Sequence, residues 1–108
     1  MMELPDGFMR YIGDSEVELV RWDFARDEMI LRVTKEIGPA VGTLRLTGVD
    51  FVNMRPKFTV VGVAAYDRPF PDYPNLDLEA EQTAIAFQEA WGAVYCVVAR
   101  GLDYEETV

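Results

Sequence analysis

From Glu16 onward apolar and polar residues alternate with a period of two, the spacing of a strand that buries one face. Val17 and Leu19 point one way, and after a slip at Val20 the apolar set continues with Trp22 and Phe24, so one extra residue there predicts a β-bulge. The stretch "EMILRVTK" sets Met29, Leu31 and Val33 against Ile30, Arg32 and Thr34. Residues 16–35 are therefore expected to form a hairpin. Pairing Phe24 with Met29 would put Arg21 opposite Arg32, whereas pairing Phe24 with Leu31 puts Asp23 opposite Arg32. Charge thus favours the second register, with Asp27-Glu28 as the turn.

"TLRLT" predicts a third strand with Leu44 and Leu46 inward and Thr43, Arg45 and Thr47 outward. Gly48 then shifts the phase, because Val49 and Phe51 continue the apolar pattern on odd numbers. A bulge or tight bend is expected. "KFTVVGVAAY" is apolar on both faces, which predicts a central strand or one facing a subunit interface.

Two readings compete for "DLEAEQTAIAFQEAW". Ala80, Ala84, Phe87 and Trp91 stand at helical spacing with Gly92 as a stop, yet Leu76, Leu78 and Ala80 alternate, and so do Ile85 and Phe87. Sequential strands tend to pair, which tips the balance to strands. The fold expected is mainly β, an antiparallel sheet curled into a small sandwich or open barrel, with a short N-terminal helix at 8–12. The alternative is α+β with one helix at about 77–91. The succession of acidic strand, hairpin, "LRLTGVDF", Pro-rich loop and "WGAVYCVVARGLDYEE" is similar in layout to small acidic bacterial β-domains, toxin-immunity proteins among them.

Composition narrows the picture. At 108 residues, half of them apolar and 27% charged, the chain makes one acidic globular domain spanning 1–108. A net charge of −9 repels phosphate backbones and anionic membrane surfaces, so neither nucleic acid nor membrane is expected as a partner. The longest apolar run, 93–99, is far shorter than the ~20 residues of a spanning helix. Glu3 and Asp6 stand where a signal peptide would be basic, which makes the cytoplasm the expected location.

Chemistry is constrained by what the chain lacks. With no histidine, one serine (Ser15) and one cysteine (Cys96), neither a Ser-His-Asp nor a Cys-His site can be assembled, nor a zinc site of the usual composition. No cofactor or metal is expected, and "GPAVG" lacks the residues of a phosphate-cradling loop. Cys96, inside "AVYCVVA", reads as a buried, inert thiol. Glu18, Arg21, Asp23, Arg32 and Arg45 are expected to form a mixed-charge ladder that keeps one sheet face wet.

The feature left over is "YDRPFPDYPNLD", residues 66–77, with three prolines and three aromatics. Prolines forbid a central strand and favour extended backbone with little entropy left to lose on binding. Such a loop either folds over one end or edge of the sheet and buries its rings, or presents Tyr66, Phe70, Asp72 and Tyr73 as a rigid partner-binding patch. The functional expectation is a non-enzymatic protein-binding or regulatory module, of immunity type in one form, that meets a basic protein partner through its acidic surface and this loop. The alternative is a small-ligand-binding domain or carboxylate-dependent enzyme with a pocket under the 66–77 loop. A homo-oligomer that buries the outer face of 57–65 is a third expectation.

Overall fold

The computed structural model describes residues 15–35 and 41–107. Eight strands follow in order: β1 (Ser15–Asp23), β2 (Glu28–Lys35), β3 (Val41–Thr47), β4 (Phe51–Asn53), β5 (Lys57–Tyr66), β6 (Thr83–Glu89), β7 (Val94–Ala99) and β8 (Gly101–Thr107). They form one open antiparallel sheet of order β4-β7-β6-β5-β1-β2-β3-β8. Among the described residues there is no helix, and so none long and apolar enough to cross a membrane. Residues 77–91, the site of the alternative helix, are instead a loop feeding β6. The helix expected at 8–12 lies outside the described residues.

Consecutive β7 and β8 sit in different parts of this order, although only Arg100 separates them. The same is true of β3 and β4, joined through Gly48. The two connections run side by side: Arg100 N–H donates to the Thr47 carbonyl at 2.9 Å, and Asp50 N–H to that of Val98 at 2.9 Å. The sheet therefore bends back on itself at a corner built from these two strand pairs. Gly48 adopts φ +61°, and a Cβ there would meet the Arg100 Cβ at 2.8 Å. The phase shift read at Gly48 is this bend. It resets the alternation further than expected: Val49 joins the core, but Phe51 turns outward and is 38% exposed, while Val52 and Met54 pack inward.

The β1–β2 hairpin forms, with its bulge at Val20, where the register shifts between Leu19 and Arg21. Its register differs from the one argued from charge. Asp23 pairs with Glu28 and Trp22 with Met29, leaving residues 24–27 as the turn and Phe24 exposed. The turn's own hydrogen bonds decide this. The Asp23 carboxylate accepts from Ala25 N–H at 3.0 Å and Arg26 N–H at 3.3 Å, and Asp27 takes a left-handed φ of 51°. Arg32 still stands opposite an acidic residue, because Glu18 is its register partner. Glu28 takes Arg45 at 2.8 Å, and Lys57 reaches Glu16 at 3.4 Å. These exposed pairs keep the outer face of β1–β2–β3 wet and add little stability each.

The inner face carries the main core, which includes Val17, Leu31, Leu44, Val60, Phe87 and Val97. Phe58 packs edge-on against Phe87 and Tyr95 at centroid distances of 5.9 and 4.8 Å. A second bulge, between Val60 and Gly62 of β5, went unforeseen. It lets Phe58, Val60 and Val63 all face inward although their numbers change parity, and leaves Val61 42% exposed. As expected, β5 is central, held between β6 and β1.

Replacing Gly48 by alanine would put a side chain in the left-handed region and against Arg100. The expected result is a loss of about 1–2 kcal/mol in urea unfolding with an unchanged denaturant slope.

Candidate functional site

The site follows from the second apolar face. In β6 the odd residues Ile85 and Phe87 enter the main core, while Ala84 and Ala86 point to the other side with Cys96 and Val98 of β7. Register aligns three rows across this outer face: Gly62, Gln88 and Val94; then Ala64, Ala86 and Cys96; then Tyr66, Ala84, Val98 and Phe51. The middle row is made of small side chains. Such a floor cannot shield itself from water, and the volume its side chains leave empty is filled from above.

Residues 66–78 supply the cover. Phe70 is buried at 5% exposure against Ala84, Ala86 and Cys96, with half-buried Tyr66, Tyr73, Leu76 and Leu78 around it. Tyr66 stacks on Phe70 at 4.1 Å between centroids, and Phe70 lies 5.4 Å from Tyr73. Tyr73 hydroxyl donates to the Val94 carbonyl at 2.6 Å and accepts from Asn53 Nδ2 at 3.0 Å, which ties the loop to β7 and β4. Burial and the nearby Cys96 push its phenol above the ordinary tyrosine value.

The loop's far end is tied to the sheet corner. Buried Gln82 donates to Asp50 at 3.0 Å and accepts from Glu79 N–H at 2.9 Å, and Arg100 forms ion pairs with Glu79 and Glu81. The bend at Gly48 and Arg100 thus also anchors the chain entering β6.

Cover and floor do not match completely. A cleft of about 510 Å³ remains between the loop and the sheet, floored by Gly62, Ala64 and Ala86 and walled by Tyr66, Phe70 and Val94. Its polar lining is Gln88 and Asp72. Asp72 is exposed, is the one charged residue of the lining, and has no ion-pair partner among the described residues. Trp91, 89% exposed, sits in the β6–β7 turn beside Gly92, which lines the cleft.

Tyr66, Phe70, Asp72 and Tyr73, singled out in the sequence, thus lie together over one face of the sheet. Their roles separate. Phe70 is interior, Tyr73 is a fastener, and Tyr66 and Asp72 face the opening. The floor residues Gly62, Ala64 and Ala86 were missed as site residues, although the double-sided apolar pattern of 57–65 carried the signal.

Among the described residues one carboxylate alone lines this cleft, so they do not assemble a general acid and a general base of the two-carboxylate kind there. The buried carboxyl of Glu89 lies elsewhere, accepting the Tyr95 hydroxyl proton at 2.6 Å. That bond, with burial, raises the Tyr95 phenol. Among the described residues no group of three His, Cys, Asp or Glu side chains gathers as a metal centre would require. Burial under the loop pushes the Cys96 thiol up to about 11. In comparisons with known proteins, no family model matches the chain, and no curated protein or solved structure matches it.

Two outcomes are expected from this geometry. Tyr73→Phe removes the hydroxyl that serves both Val94 and Asn53, so urea unfolding should show a loss of about 1 kcal/mol. The second concerns pH. Because the folded thiol's pKa is raised, its stabilising contribution is complete below the unfolded value near 9 and is lost as pH rises towards 11. Wild-type stability should therefore fall more steeply over that window than that of Cys96→Ala.

Proposed function

We propose that this protein is a non-enzymatic binding module that captures a basic segment of a partner protein in the cleft under the 66–77 loop. The observation that carries the reading is the cleft's lining: an apolar floor and aromatic wall with, among the described residues, a single charge that has no ion-pair partner, the Asp72 carboxylate. An apolar body with a cationic head fits such a lining, since the stem lies along Ala64 and Ala86, the head meets Asp72, and a ring face adds cation–π attraction. An anionic ligand finds no positive side chain there among the described residues. The chain's net charge of −9 adds long-range steering towards a cationic partner. Because Tyr73 and Phe70 already fasten the loop, little ordering entropy is spent on capture. Neutralisation of a cationic protein, as immunity proteins do, is one form this role takes.

A second reading is favoured by the cleft's volume, which lies within the range of small-molecule sites. In that case the same lining selects a free amphipathic amine rather than a peptide.

Ala64→Leu separates the site from the fold, because the added carbons enter the cleft and not the main core. Titration of arginine-containing apolar peptides by NMR should shift Gly62, Gln88 and Gly92 in the wild type. Ala64→Leu should abolish those shifts while its spectrum stays folded. Asp72→Asn should weaken binding roughly three- to tenfold and flatten its salt dependence. Binding that is unchanged in Ala64→Leu would remove the cleft from the account.

A further inference from the structure

The cleft does not end at Asp72. A second, more apolar groove of about 240 Å³ is lined by Phe51, Tyr73, Pro74 and Leu76, and Asp72 lines both cavities. Four rings run from one to the other without a gap. Tyr66 stacks on Phe70 at 4.1 Å, Phe70 meets Tyr73 at 5.4 Å, and Tyr73 meets Phe51 edge-on at 6.3 Å. Among the described residues neither cavity is lined by a basic side chain. Phe51 is 38% exposed at the rim of the sheet, although each neighbouring residue of β4 and the following turn that is apolar packs inward. Its outward ring has no role in the main core.

From this juxtaposition we infer that the site is two-lobed: it reads an extended segment of a protein partner in which a basic side chain meets Asp72 between two apolar side chains, one in each cavity. This rests on the reading of the cleft as a cation-selecting site and specifies its partner. The occupant is an extended chain because alternate side chains of a strand point the same way about 6.5–7 Å apart, close to the 6.3 Å between the Tyr73 and Phe51 rings. A compact ligand would fill one lobe and leave the other open to water. The charge complement is again Asp72, placed where both lobes meet.

The probes are three synthetic peptides: acetyl-SLSRSLS-amide with two apolar anchors, acetyl-SLSRSAS-amide and acetyl-SASRSLS-amide with one each. Calorimetric titration into the wild-type protein should give an affinity for the first about tenfold above either other, the scale of burying one further aliphatic side chain. Phe51→Ala should remove that tenfold advantage and leave the weaker one-anchor binding in place, with the fold verified by NMR. If Phe51→Ala keeps the advantage, or the three peptides bind alike, the second lobe is overturned while the cleft stands, provided Ala64→Leu still abolishes binding. If no peptide binds the wild type, or Ala64→Leu leaves all binding intact, the cleft reading and the two-lobed site both fall.

Discussion

Strands β5, β6 and β7 are apolar on both faces, and everything else in the molecule answers that constraint. One face is covered in the ordinary way, by bending the sheet so that β1, β2, β3 and β8 lie across it. The other face is floored by alanine, glycine and cysteine, side chains too short to exclude water by themselves. A Pro-rich loop closes it with aromatic rings. Burying each ring is worth about 1.5–3 kcal/mol, whereas each exposed ion pair on the outer face of β1–β2–β3 is worth at most about 1 kcal/mol. Apolar cover therefore decides the architecture, and charge decorates it.

The bend and the cover are linked through one corner. Gly48 turns the chain where no β-branched residue could, and Arg100 faces it from the β7–β8 connection. The same Arg100 holds Glu79 and Glu81, and Asp50 holds Gln82, so the segment that leaves the loop is fixed by the residues that bend the sheet. Two bulges, at Val20 and at Val61, let strands change which residues face the core without leaving the sheet. A loop held at both ends, over a floor slightly too low for it, leaves a permanent cleft. Its chemistry follows from which side chains remain uncovered: small, aromatic, and one carboxylate.

Much of this was legible in the residues. The period-two pattern placed the hairpin, the slip at Val20 and the phase change at Gly48, because backbone alternation is a local property. Pairing register was not legible, since the side-chain hydrogen bonds of Asp23 in its turn outrank a charge pairing that several registers satisfy. The double-sided burial of β6 explains why its stretch also reads as a helix: a strand apolar on both faces loses alternation, and alanine suits either structure. The bulge at Val61 left no mark, because valine fits either face there. For the loop, the sequence allowed a structural cover or a binding patch, and the cover is what the fold displays. Phe70 closes the floor, while Asp72 stays in water beside it.

The central claim is that the loop is a fixed cover over the outer face of β5, β6 and β7. Native-state hydrogen exchange of the Tyr73 amide, which donates to the Phe70 carbonyl at 2.8 Å, tests this most directly. A preformed cover predicts an opening free energy comparable to that of the β6 and β7 amides beneath it. Exchange of the Tyr73 amide at the rate of an unstructured peptide, with β6 and β7 still protected, would contradict it.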